Sequence, residues 1–322
     1  MRTTHSVSMS GLKLVTTFAA AALTALAQPY VYVSNEMGNN VTIVNRATGA
    51  MAGSIPLSES GATGLAVTPN GTYLYVAEES LNSVVVISTA SNSVVATVAV
   101  GGAPVRVAIT PNGADAYVVN QRSDSVSVIS TSSNTVIGTI PVGAKPSGIA
   151  ITPNGAYALV ANIYSSDISV ISTSSLSVVA TWQALAGPTA IAVSPQGNVA
   201  YVANQYSNAL TIHSLSSGAI LNTIAGLAAP DSVSVTPNGS LVYVVNGNSS
   251  SVSVINASSE GVIATVSVGL LPTSVAVSAD GTIAYVTNAY GYSLSEISTA
   301  TNTVETTIAR VGIYPVSVVE VE

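Results

Sequence analysis

The side chains equipped for chemistry are few, and their types narrow what the chain could do. Charged residues make up 7 % of its 322 residues, and cysteine is absent. That removes disulfides, thiolate metal ligands, cysteine nucleophiles, Cys-x-x-Cys-His haem attachment and a lipid-modified N-terminal Cys. A metal site needs several converging ligands, and His213 stands without a second histidine near it in sequence. Neither a Gly-x-Ser-x-Gly elbow, a His-Glu-x-x-His helix nor an Asp-x-Asp-x-Asp calcium loop is found. What remains is Arg106, Asp231 and the adjacent pair Glu78 and Glu79. A guanidinium and a carboxylate at a narrow opening either pair or hold a polar ligand. In a hydrolytic site the carboxylate activates water and the cation steadies the oxyanion. A second group comprises Glu36, Glu78, Glu79, Gln121, Arg122, Tyr164, Tyr206, Tyr290 and Tyr292. Aromatic and charged side chains of this kind on loops suit recognition of a partner.

These residues are positioned by a repeat. Tyr-Val-x-Asn segments end at Asn35, Glu78, Asn120, Asn162, Asn204, Asn246 and Asn288, one step of 43 residues followed by five of 42. Each copy reads as four short strands of alternating β-branched residues, for example 147–152, 157–161, 167–172 and 176–182. Between the first two strands stand Pro69-Asn70-Gly71, Pro111-Asn112-Gly113 and Pro237-Asn238-Gly239, residues that preset and tolerate a tight hairpin turn. The milder Pro195-Gln196-Gly197 and Ala279-Asp280-Gly281 occupy the same place. The first copy opens on a second strand, Tyr30 to Ser34, and the last segment, from Tyr314 to Val321, matches a first strand with no second strand after it. The expected architecture is therefore all-β: one seven-bladed propeller of four antiparallel strands per blade, its first blade closed by the C-terminal strand.

A repeat supplies its own control, since a residue that breaks it was not demanded by the fold. Arg106 stands where the other copies carry Gly64, Gly148, Ala190, Ser232, Ser274 and Ser317, at the start of a first strand bordering the central channel. Asp231 precedes that position in its own copy. His213 replaces a repeated Ile and Trp182 a repeated Val or Ile; both are expected to pack. Asn82, Asp124 and Asn208 are expected to hold the link between strands two and three through their side-chain oxygens.

Residues 1–27 read as a secretory signal, with Arg2 and Lys13 before an apolar run and Ala25-Leu26-Ala27 as the cleavage site; Met9 is an alternative start. The domain then runs from 28 to 322, with no further apolar stretch long enough to span a membrane. Without the leader, five basic face fourteen acidic side chains, which argues against nucleic acid as a partner. The expected mature protein is an exported monomer, periplasmic, extracellular or on the cell surface, needing no cofactor and no metal.

The YVSN, YVVN, YVAN and YVTN segments, the Thr-Pro-Asn-Gly turns and links such as Val142-Gly143-Ala144-Lys145-Pro146 resemble the YVTN family of β-propeller repeats over residues 28–322. Glu78 in place of the Asn and Leu159 in place of the Tyr depart from it. The resemblance implies a propeller of the cell envelope or surface layer. The first expectation is a non-enzymatic scaffold that recognises a protein, glycan or other envelope component through the face bearing Glu36, Glu79, Arg122, Tyr164, Tyr206 and Tyr290. The second is a lactonase-like hydrolase, since lactonase-like propellers share this architecture, with a charged pocket around Arg106 and Asp231 and a site built from Glu78, Glu79 and Arg106. A third is an accessory subunit of a periplasmic redox enzyme.

Overall fold

The computed structural model describes residues 29–59 and 61–321, so the expected leader and its cleavage site lie outside the described residues. Seven four-stranded antiparallel sheets form the blades. Blade 1 is ordered Pro315–Val321, Tyr30–Asn35, Asn40–Asn45, Met51–Pro56, so the C-terminal strand is its innermost strand. Blades 2 to 7 follow the chain, their inner strands being Ala62–Val67, Pro104–Ile109, Pro146–Ile151, Pro188–Val193, Pro230–Val235 and Pro272–Val277. Each inner strand packs on the next, and Pro315–Val321 closes the ring against its two neighbours. Blade 4 has strands Pro146–Ile151, Tyr157–Asn162, Asp167–Ser172 and Ser177–Gln183, within one residue of the sequence reading.

The period-two alternation of the strands turns one row of side chains toward each neighbouring blade, and the core is the apolar layers between blades. Between blades 2 and 3, Tyr75, Ala77, Val84 and Val86 meet Val107, Ala116 and Val118, all buried. A bolt crosses several of these layers. Tyr32, Tyr75 and Tyr243 donate their hydroxyls to Asn92, Asn134 and Asn302 in the turn before the next blade's outer strand, at 2.8, 2.8 and 2.7 Å.

The Tyr-Val-x-Asn signature has a separate origin. The buried Asn120, Asn162, Asn246 and Asn288 donate Nδ2 to a serine hydroxyl seven residues on, in the third strand, at 2.9 to 3.0 Å; Asn35 and Asn204 use Thr42 and Thr211. The link glycine must leave room for this amide: a Cβ on Gly101 would stand 2.6 Å from Asn120 Nδ2. Blade 2 departs at both ends of the bond, with Glu78 for the Asn and Val85 for the hydroxyl residue. The short Asn and Asp side chains of the links act as read, Asn82, Asp124 and Asn208 accepting the N–H of Ala103, Lys145 and Ala229 at 2.8 to 2.9 Å.

Candidate functional site

The second residues of the inner strands form a collar around the central channel. Hydroxyls dominate it, each donating to the backbone of the following blade. Thr63 reaches Pro104 O, Ser147 reaches Thr189 O, Thr189 reaches Pro230 O and Thr273 reaches Pro315 O, at 3.0 to 3.1 Å. Asp231 takes the collar position of blade 6, where an ionised carboxylate has no proton to donate.

Arg106 comes from the next position of blade 3. Inner strands approach so closely there that a Cβ on Gly64 would stand 2.6 Å from the Arg106 Cα, which is why the other copies use small residues. Its guanidinium lines a cleft of about 240 Å³ at the channel mouth with Glu36, Glu79, Gln121, Asp231 and Tyr314. Direct ion pairs among the described residues, within 4.0 Å, belong to Arg46, so Arg106 and Asp231 share the cleft without closing on each other. The guanidinium is tied back by one hydrogen bond, Nη1 to Val105 O at 3.3 Å.

Burial depresses the basicity of Arg106, while Asp231 and Glu36 restore part of it. Burial likewise raises Asp231, against the pull of Arg106. Glu36 is raised by burial and by the charge of Glu79, with Arg106 acting the other way. Tyr314 is raised by burial and then by Glu36, Tyr290 and Asp231. The arrangement confines a cation beside two carboxylates, Glu36 and Asp231, whose proton affinity burial raises.

The cleft thus gathers Glu36, Glu79, Arg106 and Asp231. A neighbouring cleft of about 340 Å³ shares Glu79 and Gln121 and adds Arg122, Asp124, Lys145 and Tyr164. There the Lys145 ammonium sits 4.5 Å above the Tyr164 ring and bonds its hydroxyl at 3.1 Å. Tyr290 reaches the mouth through an edge contact on Tyr314, with ring centroids 5.5 Å apart. Tyr206 lies over the link at Gly187, where a Cβ would stand 2.6 Å from its ring, and lines neither cleft. Tyr292 also lines neither, and occupies the left-handed link position with φ of 48°. Glu78 is buried inside its blade, accepting from Ser83 Oγ at 3.1 Å, so the expected Glu78–Glu79–Arg106 trio is not assembled; Glu79 turns to the mouth and Glu78 away from it. The buried position that Glu78 inherits from the repeated Asn is the reason.

Tyr314 and Lys145 were not singled out by the sequence reading, although the signal exists. Both precede the inner strand, where the other copies carry Gly61, Ala103, Gly187, Ala229 and Leu271. Among the described residues, no three His, Asp or Glu side chains come together as metal ligands would.

His213 is fully buried between Thr211 and Gly218. Nδ1 donates to Gly218 O at 3.2 Å and Nε2 accepts from Thr211 Oγ1 at 2.9 Å, while that hydroxyl oxygen accepts from Asn204 Nδ2. Trp182 stacks on it across the blade 4–blade 5 boundary. Both residues pack, as their types and strand positions indicate.

Comparisons with known proteins agree with this architecture. A family model described as lactonase, 7-bladed beta-propeller, matches residues 17–136 and 173–278. No curated protein matches the chain. Among solved structures, a 6-phosphogluconolactonase candidate from Bacteroides uniformis is 15 % identical, covering 91 % of this chain and all of its own, with a TM-score of 0.76. A similar candidate from Bacteroides fragilis is 15 % identical, covering 93 % of this chain and 99 % of its own, at 0.75. Kuenenia stuttgartiensis hydrazine synthase is 22 % identical, covering 84 % of this chain and 92 % of that one, at 0.76. At these identities the likeness to the solved structures is one of fold. The family model spans most of the chain: it belongs to the lactonase family of seven-bladed β-propellers.

Proposed function

We propose that the chain is a lactonase-like hydrolase acting at the channel mouth, in preference to the non-enzymatic scaffold expected first. The observation that carries this is Arg106, a guanidinium introduced into the cleft by a break in the repeat, beside carboxylates with which it forms no direct ion pair. Family membership and the two neighbours titled as 6-phosphogluconolactonase candidates support it.

A lactone carbonyl directed at Arg106 meets a cation that steadies the oxygen as it becomes negative, and confinement strengthens that effect. Glu36, raised in proton affinity by burial and by Glu79, takes a proton from a water molecule as its oxygen attacks the carbonyl carbon. The ring C–O bond then breaks and the departing ring oxygen takes the proton back from Glu36, so water and lactone give a hydroxy acid. Asp231 balances the charge of the guanidinium, which the bond to Val105 O ties back. The leader-like sequence of residues 1–27 and the resemblance of the repeat to the YVTN family support reading it as an exported enzyme of the cell envelope.

The experiment is pH-stat titration of acid release from γ-butyrolactone, δ-valerolactone and glucono-δ-lactone by the purified chain and by Arg106→Ala. Hydrolysis above background that disappears in the variant is expected. Background rates on all three lactones, or equal rates in both proteins, would sink the reading.

A further inference from the structure

The opposite face of the propeller, formed by the Pro-Asn-Gly turns, carries a second break in the repeat. At the blade 4–blade 5 boundary the tyrosine bolt is missing: Leu159 replaces the Tyr, and Gly218 stands where Asn92, Asn134 and Asn302 accept its hydroxyl elsewhere. Trp182 fills part of the vacated space. A Cβ on Gly218 would stand 2.2 Å from the indole, so the glycine, at φ of 75°, is what lets the ring lie there. His213 supports it from within the core with ring planes 14° apart. Each of these residues could be read alone as packing. Together they leave a cleft of about 530 Å³, lined by Leu159, Trp182, Tyr157, Asn154 and Gln196 among others, within the size range of small-ligand sites.

The lining is uncharged throughout, and its polar members are amides and hydroxyls. Asn154 accepts from Thr152 and from the Ala156 N–H through Oδ1, which leaves its Nδ2 for another acceptor. Gln196 bridges to a second cleft of about 410 Å³ at the blade 5–blade 6 boundary, with Asn198, Asn238, Ser240, Tyr201 and one carboxylate residue, Glu260, in its walls. An aromatic platform bordered by amides suits a ring with an apolar face and hydroxyl edges, and two clefts in line suit more than one such ring. A charged ligand would find no counter-charge in the first cleft. We propose that this groove binds a neutral oligosaccharide, one sugar ring lying on Trp182 and the chain crossing Gln196 toward blade 6. This site is independent of the hydrolytic mouth.

Trp182 is the sole tryptophan of the sequence, so selectively excited tryptophan emission reports on the groove alone. Cellohexaose, chitohexaose and maltohexaose are titrated into the full chain, followed by emission and by calorimetry. At least one is expected to shift the emission saturably at sub-millimolar concentration. Trp182→Ile, the type of residue the repeat uses there, and the exposed Gln196→Ala are each expected to weaken calorimetric binding at least tenfold, with unchanged thermal midpoints and unchanged lactone hydrolysis. Arg106→Ala is expected to bind as the native chain does. Failure of all three sugars to bind, undiminished binding by Trp182→Ile, or an equal loss in Arg106→Ala would overturn the proposal.

Discussion

His213 stacks under Trp182 with ring centroids 6.4 Å apart, and it does so as a neutral ring. Its two nitrogens are committed to one donation and one acceptance, and burial, opposed by the bond to Gly218 O, lowers its affinity for a proton. The unfolded chain therefore binds a proton that the folded chain refuses. Stability is unaffected above the unfolded pKa of about 6.5 and falls as pH drops below it toward the lower folded value. Thermal midpoints measured from pH 8 to pH 5 should fall in the native chain and fall less in His213→Ile. Parallel curves would exclude His213 as the cause.

Lactone hydrolysis should rise with pH through the pKa of Glu36, because the carboxylate is the active form. That limb should lie above the ordinary value of 4.5. Glu79→Gln removes the charge that helps raise Glu36 and should move the limb to lower pH. Arg106→Ala should cost on the order of 100-fold or more in kcat/KM, the usual scale for losing an oxyanion partner. A limb unmoved by Glu79→Gln, with activity and limb both lost in Asp231→Asn and kept in Glu36→Gln, would assign the base to Asp231.

Glu78 and Val85 are two halves of one departure from the repeat. Burial raises the proton affinity of Glu78, a bond from Ser83 opposing it. Folding then favours the protonated acid, so this residue's contribution to stability is present below about pH 4.5 and is lost as pH rises through the folded pKa. The double change Glu78→Asn with Val85→Ser restores the bond made in the other blades and should stabilise the protein by about 1–2 kcal/mol at pH 7. Denaturant unfolding of both single variants and the double one should show favourable coupling. Purely additive effects would count against the paired reading.

The ring is tied at its seam by Arg46, which meets Asp280 of blade 7 at 2.5 Å and Glu320 of the C-terminal strand at 3.0 Å. The Asp280 carboxyl is held well below its usual range; partial burial opposes this, and bonds from Ser278, Thr282 and Arg46 outweigh it. Its contribution is present above about pH 4 and is lost on acidification. Arg46→Ala removes both ion pairs of the seam, that to the largely buried Glu320 included, and should lower the thermal midpoint. Removing residues 315–322 takes blade 1's inner strand away and should abolish cooperative unfolding or cause aggregation. An unchanged thermal midpoint in the truncated chain would refute the importance of closure.

The blades were readable because each strand and turn is stated repeatedly in the sequence, and local misreadings average out over the copies. Arg106 and Asp231 were readable by the same logic, as single breaks in a regular pattern. The repeat put Glu78 in the Asn position, but a regular pattern does not say which way that position faces: the structure buries it inside the blade and leaves Glu79, in the turn after the strand, at the mouth. Tyr206 and Tyr292 share a face with Tyr164, but how close a loop residue stands to the channel depends on backbone path. The groove at Trp182 was hidden because Leu159, Trp182 and Gly218 lie in different strands and turns. Their joint meaning requires knowing that the tyrosine of one blade reaches into the next.

The seam also orders events in time. Blade 1 cannot be completed until Pro315–Val321 exists, and the bond from Thr42 Oγ1 to Val311 O spans 269 residues. During synthesis, blades 2 to 7 can each assemble from contiguous sequence while Tyr30–Asn35 waits with an unpaired edge. Closing so large a loop carries an entropic cost that no local contact offsets beforehand, which makes ring closure the expected slow step. A nascent chain stalled before residue 315 is thus an open arc with two reactive ends, the state in which neighbouring chains would exchange strands.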